Sequence, residues 1–422
     1  MQVELRIHAN GGSKHSDIPE WLDEDFLQLC MQSGEGDPTI RVMKHDVAVM
    51  RLRSSAHSTV LYRVSVEFKR RPRSRNILDF KPQETRSLII KMQPAPTEFP
   101  ELRQEVDKEV TALSVTLPAI TKILSFFALT AQCFYSERSP RALIVMDDLA
   151  KSDFVRGKMD RQRGLDFNHC MLVMQSMAAL HAGSVALYEK DKSSMDSFDH
   201  NRWCKEGNSM TKDLVSSTVS DIADEVATWS NFGDKYSDRI RALRDTLLPR
   251  VNAAISREGS KFNVLNHGSC WYNNLMFRYN SKTSRVEEAL FVDFANSVFA
   301  SPVIDLQHFL FSTPTDEVRL HNVNRLIQHY HRELVSNLEK LKVKTKPPTK
   351  EELMDEMEER GAYSVLVAFT LLPIIIAEGS TSTDILSDPH AVKEKRKMFA
   401  NEQFKISLKR LLQIFDSRGH LE

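Results

Sequence analysis

Residues 264–274 read VLNHGSCWYNN. A short apolar run enters His267-Gly268, and Asn273-Asn274 closes the stretch. Histidine, a tight turn and an asparagine a few residues on form the pattern of a phosphoryl-transfer catalytic loop. Such a loop carries a carboxylate directly after the turn, where the substrate hydroxyl gives up its proton. Here that place holds Ser269. Is the base lost from an enzyme, or is the chain another kind of protein?

Working outward, the stretch ALFVDFANSVF (289–299) has short-strand and loop character and places Asp293-Phe294 after an apolar run. Upstream, RALIVMDDLA (141–150) is a buried strand that emerges into Asp147 and Asp148. STVLYRVSVEFK (58–69) alternates apolar and polar residues and predicts a strand, as does RSLIIKM (86–92), which carries Lys91 near its end. Leu102, Val106, Val110 and Leu113 recur at helical spacing over 101–117 with Glu109 among them, and Pro118 is expected to break that helix. IPEWLDEDFLQLCMQ (18–32) predicts a leading amphipathic helix. FNHCMLVMQSMAALHA (167–182) predicts a long core helix whose methionines fill space. Residues 185–260 and 303–422 are helical in pattern, and 340–352 reads as a polar surface loop. A small strand-rich part in front of a large helical one is an α+β layout.

Composition narrows the classes. The 422 residues carry 57 basic and 57 acidic side chains, so no excess charge calls for nucleic acid or an anionic membrane. The basic run KRRPRSR (69–75) is read as a solvated turn between strands. Cys30, Cys133, Cys170, Cys204 and Cys270 are odd in number and scattered, which fits a reducing compartment. The start of the chain shows no apolar stretch of signal-peptide length, and AYSVLVAFTLLPIIIA (362–377) is short for a span and holds Pro373. A cytoplasmic monomer is expected.

In chain order the chemistry-bearing residues are Lys91, Glu109, the pair Asp147 and Asp148, His267 with Asn274, and Asp293. Phosphoryl transfer uses such a set: a lysine on the phosphates, a glutamate to hold it, and two metal ligands. Singly, each has a plainer reading. Lys91 could be a solvated strand end, Glu109 a charge on a helix face, Asp293 a turn cap, and Asn274 a partner for its own backbone.

These residues make the sequence resemble the insect ecdysteroid-kinase-like (CHK-kinase-like) family, related to choline kinases and aminoglycoside phosphotransferases. That family writes L-N-H-G-D-x-W-x-x-N, then (I/V)-D-F-Q, then a proline and Asp-Leu. Here those stretches stand as LNHGSCWYNN (265–274), VDFAN (292–296) and SPVIDL (301–306). IPEWL, TLPAI, VMDDL and ALHAGS continue the likeness over most of the chain. The resemblance implies a two-lobed protein-kinase-like fold: an N-terminal lobe over 1–143, a hinge at 144–150, a helical lobe over 151–422, and a site between the lobes. It implies ATP and Mg2+ as cofactors, with Lys91 on the phosphates and Glu109 as its helix partner. The hinge backbone, with Met146, Asp147 and Asp148, would hold adenine, and Asn274 and Asp293 would bind metal. It implies a small hydrophobic hydroxylated substrate such as a steroid or xenobiotic. His267 would be structural and His181 a satisfied core histidine. Asp305 is either a brace for the loop or a helix cap.

Two departures stand out. Ser269 occupies the place of the family's aspartate base, and the turn 54–58 lacks the glycine that lets backbone amides approach phosphate. Two readings therefore stand: a weak kinase, or a catalytically inactive pseudokinase that binds ligand or acts as a scaffold. A hydrolase built on Ser269 or Cys270 is disfavoured, because no G-x-S-x-G frames the serine and neither residue explains Lys91 or Asp293.

Overall fold

The structure is a computed structural model that describes residues 18–51, 59–71, 83–92, 103–125, 127–155, 163–199, 203, 209–377 and 391–422. The turn 54–58, the basic residues 72–75 and Cys204 lie outside them. The chain forms two compact units, Met1–Pro118 with Thr130–Phe154, and Ala119–Leu129 with Val155–Glu422.

The first unit is strand-rich. Helix α1 (Glu24–Glu35) starts where the Asp23 side chain accepts the Phe26 N–H, and it ends at Gly36, whose φ of 61° suits glycine. Its apolar stripe buries Leu27, Cys30 and Met31. Strands β1 (Arg41–Arg51), β2 (Val60–Lys69), β3 (Glu84–Met92), β4 (Cys133–Glu137) and β5 (Leu143–Asp147) form one sheet in the order β1-β2-β3-β5-β4. Every pairing in it is antiparallel. The alternation seen in β2 places Tyr62, Val64, Val66 and Phe68 in the core with Leu88, Ile90 and Val145. Each such buried side chain contributes roughly 1.5–3 kcal/mol.

Pro118 does not end the helix as the sequence suggests. Helix α2 (Arg103–Thr111) passes through a π-helical turn, Ala112–Thr116, into α3 (Leu117–Leu124). In that turn the Leu117 N–H reaches back to the carbonyl of Ala112. The wider turn re-registers the ladder just where proline lacks a donor, so the helix runs on. Residues Ala119–Leu129 group with the helical unit.

The helical unit is organised on α4 (Phe167–Lys190), capped by Asp166 through the His169 N–H. Met174 and Met177 are fully buried there, as filler. At Gly183 a Cβ would lie 2.6 Å from Ile120 Cγ2, so glycine permits the close approach of α3. After the two-residue β6 (Phe154–Val155) and α4 come α5 (Ser209–Ala227), α6 (Gly233–Ala242) and α7 (Leu247–Ile255). The short strands β7 (Val264–Asn266), β8 (Leu275–Tyr279), β9 (Val286–Phe291) and β10 (Val298–Ala300) follow; β7 pairs with β10, and β8 with β9. Helices α8 (Val303–Ser312), α9 (Asp316–His321), α10 (Val323–Lys340) and α11 (Lys350–Glu359) pack next in the chain. Helices α12 (Ala362–Thr370) and α13 (Leu372–Ile376) bury the apolar stretch before Pro373 and after it, and α14 (Val392–Phe399) and α15 (Glu402–Ser417) complete the unit.

Candidate active site

In the strand-rich unit Lys91 lies opposite Leu61 on β2 and Ile144 on β5. Its Nζ donates to both carboxylate oxygens of Glu109, at 2.7 and 2.8 Å. Glu109 is 1% exposed and Lys91 15%, so the solvated-strand-end reading does not hold for this lysine. A buried carboxylate is tolerated because the ammonium sits on it, and the pair fixes the direction of a long, flexible side chain.

The strand exit after β5 is held by its own side chains. Asp148 is buried and receives Arg63 Nε at 2.7 Å, the Ser87 hydroxyl at 2.9 Å and the Ala150 N–H at 3.2 Å. Asp147 receives Arg86 Nε at 2.9 Å. The Asp147 N–H donates to the Gln132 carbonyl and the Asp148 N–H to the Ser87 carbonyl. Met146 lies in the ladder opposite Ile89 and Cys133, half-buried. Both carboxylates thus brace the strand exit.

In the helical unit the loop VLNHGSCWYNN is fixed from behind. Ser184 on α4 accepts the Leu265 N–H at 2.9 Å, and Ser176 donates to the Ala289 carbonyl at 2.8 Å, anchoring β7 and β9 to one helix. Asn266 bridges β7 and β10 through its Nδ2, while its Oδ1 accepts the Asp305 N–H at 3.1 Å. Asp305 is fully buried in the first turn of α8. Its carboxylate accepts the His267 N–H at 2.6 Å, the Gly268 N–H at 2.8 Å and His181 Nε2 at 3.2 Å. Tyr330 hydrogen-bonds the other His181 nitrogen at 2.8 Å. Asp305 is therefore the brace of the loop, and His181 a satisfied core histidine. Burial pushes the Asp305 carboxyl up, but the His181 hydrogen bond and the loop amides outweigh it, and the net shift is downward.

Gly268 has φ 73°, and a Cβ there would stand 1.9 Å from the Asn296 carbonyl oxygen. Only glycine fits this turn. His267 Nδ1 accepts the Ser269 N–H at 3.2 Å and its Nε2 faces the Val292 carbonyl at 3.1 Å, which sets the tautomer with the proton on Nε2. Burial holds His267 below the ordinary histidine range. With both nitrogens engaged and protonation disfavoured, it is structural. Cys270 is fully buried, and burial pushes its thiol far up, so it is no nucleophile. His308 donates to the Cys270 carbonyl region at 3.1 Å and holds the far side of the loop.

Asn274 Nδ2 donates to the Ser269 carbonyl at 3.0 Å and to the Ser269 hydroxyl at 3.3 Å. Its backbone carbonyl accepts the Val292 N–H at 3.0 Å, which ties the loop to the segment carrying Asp293. Asp293 has φ 69°, a left-handed conformation uncommon outside glycine. With its Nδ2 turned onto Ser269, Asn274 keeps Oδ1, which makes no hydrogen bond among the described residues. An amide oxygen and a carboxylate are donors suited to a hard divalent cation that keeps water and phosphate oxygens as further ligands. Among the described residues no group of three or more His, Cys, Asp and Glu could hold a metal ion by itself.

The loop, its brace and the lysine–glutamate pair define a kinase-like protein. The profile of the ecdysteroid kinase-like family matches residues 55–343, and the chain belongs to that family. No curated protein matches significantly. Solved structures similar to the chain include an ethanolamine kinase of Plasmodium vivax, 12% identical, with 86% of this chain and 84% of that one covered and a TM-score of 0.40. A spectinomycin phosphotransferase in complex with ADP and spectinomycin is 12% identical over 87% of this chain and 93% of that one, at 0.43. An amicoumacin kinase in complex with AMP-PNP, Ca2+ and Ami is 12% identical over 86% of this chain and 88% of that one, at 0.41.

Asn266 was not singled out in the sequence, and Asp305 was left between two roles. The signal for both is the polar residue on each side of an otherwise apolar framework, VLN and VIDL.

Proposed function

We propose that the protein is an ATP- and Mg2+-dependent phosphotransferase acting on a hydroxyl of a small hydrophobic molecule, at a rate lowered by Ser269. The observation that carries this reading is the intact frame around an altered position. Asp305, Asn266, His267 and Gly268 hold the loop by a closed set of hydrogen bonds, and Ser269 stands where the family resemblance puts the base.

Lys91, held by Glu109, is assigned to the nucleotide phosphates. Asn274 and Asp293 are assigned to the metal, which when bound neutralises charge on phosphate oxygens. Neither Asp305 nor His267 is free to take over as base. Asp305 is buried with its oxygens on amides and His181, and both nitrogens of His267 are engaged. A serine hydroxyl accepts no proton at neutral pH. Loss of a general base lowers turnover by typically ~10²–10⁴-fold. Phosphoryl transfer depends chiefly on positioning and electrostatics, so a slow reaction survives such a loss.

The second reading, an inactive ligand-binding pseudokinase, draws on the same serine: its hydroxyl already takes a hydrogen bond from Asn274. Thermal shift with Mg-ATP separates nucleotide binding from its absence. Ligand at ~100 times its Kd stabilises by about 2.7 kcal/mol. The proposal expects a magnesium-dependent rise in Tm that Asp293→Asn and Lys91→Ala each abolish. No rise in the wild type would overturn it.

A further inference from the structure

Beyond the nucleotide reading, a cavity lies where α4 and α10 end together in the helical unit. A surface cavity of about 540 Å3 is lined there by Lys190, Lys192, Lys342 and Lys344, with Glu189 and Thr345 on its wall. The volume is that of a small-molecule site.

The charge balance is the telling feature. Glu189 is the one carboxylate in the lining, and it is engaged with the chain itself. It accepts the Lys344 N–H at 3.0 Å, the Thr345 N–H at 2.6 Å and the Thr345 hydroxyl at 2.6 Å. Those bonds hold the Glu189 carboxyl below its usual range, the Thr345 hydroxyl first among them. They also strap the segment after α10 onto α4, which fixes the backbone that carries Lys342 and Lys344. Lys192 is placed by its Nζ lying 3.9 Å over the Tyr188 ring, itself packed at a tilt against Phe299. Lys192 also helps hold the Glu189 carboxyl low by its charge.

Helix C-termini attract cations, which is the plainer account of lysines at this place. The helix ends are already closed by backbone donors, however. The Asp191 N–H bonds the Leu187 carbonyl, and the Leu341, Lys342 and Val343 N–H groups bond those of Asn337, Glu339 and Leu338. Lys342 also takes φ 55°, a left-handed helix-end position where glycine is the usual choice. Lysine side chains are thus not needed as caps, and the lining carries four lysines against the single carboxylate of Glu189. Lysine acts as a flexible point charge for phosphate, and no arginine fork is present in this lining for planar carboxylates.

We propose that this cavity binds a small multi-anion of the polyphosphate class, outside the residues assigned to the nucleotide. The test is isothermal titration with sodium tripolyphosphate at low and at moderate salt. Wild type is compared with the double variant Lys342→Glu/Lys344→Glu, with Lys190→Ala/Lys192→Ala, and with Lys91→Ala. The expected result is saturable, salt-weakened binding that falls at least tenfold in both cavity variants and persists in Lys91→Ala. Binding lost in Lys91→Ala and kept in the cavity variants would overturn the assignment. So would a wild type with no saturable binding. All four lysines are exposed, so the variants keep their fold. The outcome does not depend on whether ATP binds, and it separates this site from the proposed activity.

Discussion

Asp305 and Ser269 serve the same loop and have had opposite fates. Asp305 keeps a full set of partners in a buried setting, and the backbone from His267 to Asn274 follows from it. Ser269, half-buried, donates its N–H to His267 and, in the proposed reading, puts a hydroxyl where the base would stand. The frame of an active site and its chemistry are therefore separable. The frame is a folding element, because its hydrogen bonds are buried and satisfied within the chain.

If that division is right, damage to the frame shows in stability. Asp305→Ala leaves two loop amides and His181 without an acceptor in a buried place, and should destabilise by about 3–5 kcal/mol. Urea denaturation measures it, and a loss below about 1 kcal/mol would break the comparison. Acid should act next. Burial lowers His308 from 6.5 to about 4. Below pH 6.5 the unfolded chain takes a proton that the folded one refuses, so stability falls as pH drops towards 4. The full difference is about 3 kcal/mol at 1.36 kcal/mol per pH unit. His308→Asn keeps a donor for the Cys270 carbonyl without titrating, and should flatten the fall of Tm between pH 6.5 and 4. Gly268→Ala is the smallest of the three. Its left-handed φ and the close Asn296 carbonyl predict a loss of about 2 kcal/mol, read in the same denaturation experiment.

Much of this was legible in the sequence because periodicity and motif spacing agree. The helix at α1, the strands β2, β3 and β5, and the buried α4 follow from apolar spacing alone. The pairing of Lys91 with Glu109 was legible only through the resemblance, since an eighteen-residue separation says nothing about contact. Strand β1 was missed, because a register shift between Val42 and Lys44 and the run Lys44-His45-Asp46 hide its alternation. Pro118 misled because a π-turn absorbs a proline in a way no local rule anticipates. The carboxylate partners of Asp305 are His181 on α4 and the amides of His267 and Gly268 just after β7, far apart in sequence, so only the fold could choose between brace and cap. The same distance hides the cavity lysines, which read as two unrelated polar stretches until Glu189 joins them.

The measurement that tests the central claim most directly is the rate of Mg-ATP turnover, with water as acceptor, in wild type and in Ser269→Asp. With the loop held by Asp305 and the base position filled by Ser269, the variant should turn over at least ~10²-fold faster. Equal rates in the two proteins would contradict the account and place the limiting defect elsewhere.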